Sequence, residues 1–329
     1  MKLFLTLTAL VLALFVVSLA WGYADIGAGQ ALLGVIGIGE PSHVLIAQEL
    51  RLPRALLTIT IGGALGLCGA ALQGLLRNPL AEPGNIGVTS GAALGAVIML
   101  YFGVANVTTL ALPAGAMAGA GVVVVLIFLL ASKEGSTTAL ILAGVAISSI
   151  AMALTALAMN LSPNPWALGE IVFWLMGSVR DRSMADVWLS LPFILLGSGL
   201  ILSTARSLDA LVLGEETAGS LGVNLTSVRI RIIVGTAMAV GAGVAVAGAI
   251  GFVGLIVPHV LRPFTGYVPS KLLLPSALGG AALLLMADIG VRALGNWTGA
   301  ELYLGVFTAL IGGPFFIYLI FRIRRGFAS

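Results

Sequence analysis

The sequence predicts an all-α, polytopic membrane protein of about ten transmembrane helices, and three observations predict it. Only 9% of the 329 residues are charged while 59% are hydrophobic, with a mean hydropathy of +1.13; a soluble domain carries roughly a quarter charged residues. The apolar stretches are continuous and do not alternate, which fits helices in hydrocarbon and excludes a β-barrel. The 44 glycines suit helices whose backbones approach closely inside a bilayer.

Residues 3–21 are the first candidate span. Ser18-Leu19-Ala20 resembles a cleavage site, but the apolar run exceeds the roughly 7–15 residues of a signal-peptide core, so an uncleaved span is expected. Residues 22–50, with Asp25, Glu40, His43 and Glu49, read as a polar loop. The second span, 55–76, carries Gly62, Gly66 and Gly69 at close-packing spacing, and residues 77–82 turn the chain back. Further spans are expected at 91–104, 109–131, 138–161, 188–204, 231–249, 255–264, 272–291 and 304–321. The eighth is short for a crossing and should be irregular or half-buried in protein. Between the fifth and sixth, residues 162–186 form a second large loop, in which Pro163, Pro165, Trp166 and Trp174 predict an interfacial helix. Glycine-rich turns at Pro83-Gly84-Asn85-Ile86-Gly87 and Gly251-Phe252-Val253-Gly254 read as corresponding corners of a weak inverted repeat, on opposite sides of the membrane. No linker divides the chain, so residues 1–329 read as one domain.

Alternating these spans sorts the cations. Lys2, Arg77, Lys133, Arg206, Arg229, Arg231, Arg262, Lys271, Arg322, Arg324 and Arg325 fall on one side, and Arg51, Arg54, Arg180, Arg182 and Arg292 on the other. The cation-rich side is the cytoplasm by the positive-inside rule, which places both termini there.

Several chemistries are excluded. A phosphate-binding loop needs Lys followed by Ser or Thr, whereas Lys2, Lys133 and Lys271 precede Leu, Glu and Leu; the chain cannot hydrolyse ATP by that route. With His43, His259 and the single Cys68 there is no material for a disulfide and little for a metal site. No Ser/His/Asp set is visible, and no basic run suits nucleic acid. Asp288 and Arg292, four apart, can pair with each other; otherwise mid-membrane acids are scarce, which argues against the alternative class, an ion-coupled secondary transporter.

Residues 207–224 cannot sit in hydrocarbon, since they carry Asp209, Glu215 and Glu216 between apolar runs. Gly214 and Gly222 are placed to end two short helices, and Leu211, Leu213, Ala218 and Leu221 to give them one apolar side. The segment reads as a knob offered to another protein, or as a solvated loop. Arg51-Leu52-Pro53-Arg54 reads as a lipid-headgroup anchor or as a docking point for an acidic partner, with Arg292 on the same face. Residues 77–83 read as an inside turn whose prolines break the helix and free carbonyls that need protein or water around them, or simply as a rigid turn.

These residues, together and in order, resemble the FecCD-type permeases, the membrane subunits of type II ABC importers for iron–siderophore, haem and cobalamin. The resemblance is carried by Arg51-Leu52-Pro53-Arg54, Gly69-Ala70-Ala71-Leu72-Gln73-Gly74, Asn78-Pro79-Leu80-Ala81-Glu82-Pro83, Leu213-Gly214-Glu215-Glu216, Leu221-Gly222-Val223, residues 251–262, Ala287-Asp288 with Arg292, and Gly312-Gly313-Pro314-Phe315. It implies a ten-span homodimer in the bacterial inner (plasma) membrane, with the pathway on the dimer axis. It also implies two cytoplasmic ATP-binding cassette subunits and a periplasmic or lipoprotein substrate-binding protein. No cofactor, metal or catalytic residue is implied for this chain, because the partner ATPase binds ATP and Mg. Residue by residue, it assigns ATPase coupling to Gly214, Glu215, Glu216, Leu221 and Gly222, and binding-protein docking to Arg51, Arg54 and Arg292. It assigns the translocation gate to Asn78, Leu80, Thr137 and Thr138. The segment Ser178-Val179-Arg180-Asp181-Arg182-Ser183 is more charged than the family pattern.

Overall fold

The structure is a computed structural model that describes residues 2–24, 26–104, 108, 110–131, 137–162, 165–299 and 302–326. Helices α1 (Lys2–Ala20), α2 (Ala28–Val35) and α3 (Pro41–Leu45) lead through a π-helical turn (Ile46–Arg51) into α4 (Leu52–Leu75). A 3-10 turn (Pro83–Ile86) precedes α5 (Val88–Tyr101), followed by α6 (Ala111–Ala131), α7 (Thr137–Asn160), α8 (Pro165–Leu175) and α9 (Met184–Leu202). The short α10 (Ala205–Leu211) and α11 (Glu215–Ser220) come next. After them run α12 (Leu225–Ala247), α13 (Val253–Leu261), α14 (Pro269–Thr298) and α15 (Leu304–Gly326). Every expected span coincides with one of these helices, and α8 is the helix expected in the loop at 162–186.

Seven helical segments are long and apolar enough to cross a membrane. The expected spans that fall short are α5, α13 and the described apolar part of α15. At nine residues α13 is about 14 Å long, under half of a hydrocarbon core of about 30 Å. Most of its side chains are buried in the protein, which is where irregular backbone at membrane depth is tolerated.

Burial separates a centre from a shell. The apolar windows of α4 and α12 are 78% buried, against 22% for α1 and 28% for α6; α4 and α12 are therefore enveloped by helices while α1 and α6 face outward. The central contact is the antiparallel pair α4–α14. A Cβ on Gly62 would lie 2.5 Å from the Gly280 carbonyl oxygen, and one on Gly66 would collide with the carbonyl of Ser276. The expected glycine notch is thus real, and its reason is backbone-on-backbone contact. The pair α5–α6 repeats the device with Gly91 on Gly119 and Gly95 on Gly115.

Two expectations need correction. Residues 22–50 are largely helical where a polar loop was expected. In that segment Ala31 and Ala47 are each 1% exposed, and Gly34 lets α2 approach the backbone of α3 at His43. The two glycine-rich turns of the suggested inverted repeat do not lie at opposite faces but meet. Pro83 is against Gly254, and Glu82 accepts a hydrogen bond from the Phe252 amide at 3.2 Å.

Candidate functional site

At one end of the bundle α10 and α11 form a projecting knob. Gly214 (φ +107°) and Gly222 (φ +84°) end its turns in a backbone region that disfavours side chains. Leu208, Leu211 and Ala218 are buried and seat the knob, whereas Val212, Leu213 and Leu221 are 58–64% exposed. The expected single apolar side is thus divided, with Leu211 and Ala218 inward and Leu213 and Leu221 outward. The cause is that each helix is too short to carry a continuous face. Three polar bonds fasten the knob. Arg229 Nη2 donates to Glu215 Oε2 at 2.9 Å, the Ser270 amide at the start of α14 donates to Asp209 Oδ1 at 2.8 Å, and Asn224 Oδ1 accepts from the Ser227 amide to cap α12. Glu216 is exposed.

The turn after α4 re-enters the protein. Asn78 Oδ1 accepts from the Leu80 amide at 2.9 Å, a side-chain turn that holds the segment rigid. Ser148 of α7 lies 3.4 Å from the Gly84 carbonyl, 11 residues or about 16 Å along α7 from Thr137. There the Glu82 carboxylate meets the amino end of α13, where a negative charge complements the exposed N–H groups. Gln73 completes the junction, its Nε2 donating to the Gly254 and Leu255 carbonyls at 3.3 and 3.4 Å and its Oε1 accepting from Arg262. Of the expected gate residues, Asn78 and Leu80 lie half-buried on this turn and Thr138 is exposed at the start of α7. Residues 132–136 and the Thr137 side chain lie outside the described residues.

At the opposite end of α4 and α14 the three expected arginines converge on Asp288 and on the carboxyl end of α1. Asp288 is fully buried. Arg54 Nε and Nη2 hold its Oδ1 at 2.9 and 2.8 Å, and Arg292 Nη2 lies 2.9 Å from Oδ2. Arg292 also donates to the carbonyls of Ser18 and Trp21 at 3.0 and 2.6 Å and to Ser18 Oγ at 2.8 Å. Arg51 donates to the carbonyls of Leu19, Ala20 and Ala24, each at 3.0 Å. The last turn of a helix leaves carbonyls without partners and carries partial negative charge, so two guanidinium groups are drawn onto α1. The consequence for the docking expectation is that Arg51 and Arg292, 6% and 2% exposed, are covered by their own chain.

Arg54 alone of the three opens onto a cavity of about 460 Å³, shared with Tyr23, Glu170, Phe173, Arg180, Asp181, Arg182 and Tyr303. The unusually charged segment 178–183 is therefore brought to Arg54. Arg180 Nε pairs with Asp181 at 3.1 Å; burial pushes the Arg182 guanidinium below its ordinary range, against the pull of Asp186 and Asp181. Among the described residues no group of three His, Cys, Asp or Glu side chains is arranged to hold a metal ion. The arrangement is one of contact surfaces and cavities at two ends of a bundle.

Sequence reasoning gave Glu82 and Gln73 no role, although both stand in the quoted motifs. For Glu82 a signal was present: acids are rare in this chain, so an acid between two prolines at a turn calls for a partner.

Comparison with known proteins bears on what such a bundle does. The model of the FecCD transport family matches residues 10–322. The vitamin B12 import system permease protein BtuC of Shigella boydii is 39% identical over 296 residues, 88% of this chain and 89% of that protein. The hemin transport system permease protein HmuU of Yersinia pestis is 38% identical over 320 residues, 95% of each. A solved ABC transporter of metal-chelate type, in an inward-facing conformation, superposes with a TM-score of 0.87 at 33% identity, covering 98% of this chain and 99% of that one.

Proposed function

The chain belongs to the FecCD transport family and is a membrane-embedded permease subunit of an ABC importer, and we propose that its cargo is an iron chelate (siderophore or haem) or cobalamin. In this reading a homodimer encloses the path on its two-fold axis. Two cytoplasmic ATPases bind ATP and Mg and hydrolyse ATP, and a periplasmic or lipoprotein binding protein delivers the cargo. The α10–α11 end faces the cytoplasm together with both termini, supported by the excess of Lys and Arg on that side.

The observation that carries this reading is the knob. A chain without a phosphate-binding lysine must receive its energy through a contact, and Val212, Leu213 and Leu221 offer apolar surface at a place already tied to α12 and α14. Exposed apolar side chains in a cluster mark a partner surface. Gly214 and Gly222 set the turns, and Glu215 and Glu216 add charge at the rim. Asn78, Leu80, Thr137 and Thr138 narrow the path on the cytoplasmic side, a role consistent with the rigid turn at Asn78. At the other end, docking of an acidic binding protein falls first on Arg54, with Arg51 and Arg292 holding α1 behind it. An ion-coupled carrier is not favoured: Asp288 is held between two arginines and Glu82 serves α13.

The test is reconstitution in liposomes with the ATPase and the binding protein. Leu213→Asp and Leu221→Asp change exposed positions, so folding stability should move by no more than about 0.5 kcal/mol. ATPase association should weaken, and hydrolysis should stop responding to the loaded binding protein. Full stimulation in both variants would remove the knob from the coupling role. Cargo identity follows from titrating the binding protein with haem, siderophores and cobalamin.

A further inference from the structure

Beside the knob, and sharing Val212 with it, lies a pocket of about 260 Å³ whose polar residues have no part in coupling or gating. It is bounded by the carboxyl end of α4, the turn after α13, the start of α14 and Val212, with Arg77, Arg262, Tyr267 and Gln73 as its polar lining. We infer that this pocket binds a phosphate-type oxyanion, supplied by the head group of an anionic phospholipid or by a soluble phosphate.

Four observations support it. Two guanidinium groups line the pocket and no Asp or Glu does. Like charges sharing a partly enclosed space repel, and an anion between them relieves the repulsion. Arg262 is half-buried and fixed: one Nη2 donates to Gln73 Oε1, and Gln73 is itself bonded to α13. Its remaining donors are thereby pre-oriented, and the fork of a guanidinium suits two oxygens of one phosphate. Arg77 makes no hydrogen bond or ion pair with any described residue, although its neighbours Gln73 and Asn78 are both engaged.

The backbone gives the fourth observation. Among the described residues only four non-glycine positions have positive φ, and two of them, Arg77 (+47°) and Tyr267 (+62°), line this one pocket. Such conformations cost energy and persist where the surrounding structure demands them, commonly at ligand sites. Here they bring a guanidinium and a phenol hydroxyl to the same space. The remaining walls, Ala70 and Leu272 among them, are apolar and suit the ester portion of a phosphodiester. Basic pockets between helices on the cytoplasmic side are established places for anionic head groups.

The experiment compares the full chain with Arg77→Asn, which removes the charge and keeps a residue that tolerates positive φ, and with Arg262→Gln. Each is placed in nanodiscs of phosphatidylcholine alone, of phosphatidylcholine with inorganic phosphate at matched ionic strength, and of phosphatidylcholine with phosphatidylglycerol. Thermal stability and lipid retained in native mass spectrometry are read, alone and assembled with the ATPase. Retention of phosphatidylglycerol that falls about tenfold or more in Arg77→Asn identifies the lipid source; stabilisation by inorganic phosphate, lost in Arg77→Asn, identifies the soluble one. If neither probe separates the parent chain from Arg77→Asn, the inference fails. It fails equally if Arg77→Asn impairs only assembly with the ATPase, because a carboxylate of that subunit would then occupy the pocket.

Discussion

Removing Arg292 tests whether the arginines at the Asp288 end are structural. In Arg292→Met the aliphatic bulk is kept, but Asp288 Oδ2 loses its charged neighbour while Oδ1 keeps Arg54. The carbonyls of Ser18 and Trp21 and the Ser18 hydroxyl lose the donors that Arg292 supplied. Breaking a buried pair from one side costs about 3–5 kcal/mol, because a charge stays behind in the interior, and each abandoned carbonyl adds about 1 kcal/mol where water cannot reach it. With both carbonyls counted the loss is about 5–7 kcal/mol; for a chain of this size about 2 °C of melting temperature corresponds to each kcal/mol, so a fall of about 10–14 °C is expected. Membrane proteins commonly unfold irreversibly, so parent and variant are compared at one scan rate in one detergent. The double variant Asp288→Asn/Arg292→Met supplies the internal check. It removes the stranded carboxylate charge and should melt above Arg292→Met, a non-additivity that marks direct coupling. A single variant that melts within about a degree of the parent would refute the reasoning, since 1 kcal/mol is worth more than that.

The glycine notch gives a paired prediction. Gly66→Ala drives a methyl into the Ser276 carbonyl, whereas Gly63→Ala meets Ala277 at an ordinary 3.5 Å; the first should cost about 1–3 kcal/mol or more and the second should leave the melting temperature nearly unchanged. Topology is checked by thiol labelling, since Cys68 is buried. A cysteine at Glu40 should react in intact cells and one at Ser220 only after permeabilisation, and the reverse pattern would overturn the orientation.

What could be read from the sequence depended on the range of the interaction. Span positions follow from hydropathy, and the corners at Gly214 and Gly222 follow from residue type, because both are local properties. The notch at Gly62 and Gly66 was legible because two small residues four apart must share one face of a helix. The partners were not legible. Arg54 meets Asp288 across 234 positions, Arg292 meets Ser18 across 274 and Glu82 meets Phe252 across 170, and no periodicity reports such pairs. The three arginines also show how a pattern can be right about place and incomplete about partner. They do gather at one end, yet the carboxyl end of α1 claims two of them, because unpaired carbonyls beside a guanidinium are an available and near-obligatory match. Leu213 and Leu221 point out while Leu211 and Ala218 point in, since helices of six and seven residues are set by what they rest on and not by their own period.

The two ends of the molecule are connected through α14. Its 30 residues span about 45 Å. At one end its Ser270 amide is held by Asp209 of the knob; at the other Asp288 and Arg292 are locked to α4 and α1. Between them α14 lies on α4 through Gly62, Gly66, Ser276 and Gly280 with backbone against backbone. Sliding α14 along α4 would move the Ser276 and Gly280 carbonyls off Gly66 and Gly62 and against residues that carry a Cβ, so the pair resists shear. The amino end of α13 is held on α4 in the same way, since a Cβ on Gly69 would collide with the Gly254 carbonyl, and Gln73 adds hydrogen bonds to the Gly254 and Leu255 carbonyls. The turn after α4 holds the Phe252 amide through the Glu82 side chain, and a side-chain hydrogen bond can be exchanged for another at a net cost of about 1 kcal/mol. If the knob receives a displacement, α4, α14 and the amino end of α13 would move together towards the Asp288 end, and the Glu82–Phe252 hydrogen bond to the Asn78–Glu82 turn is the link exchanged at least cost.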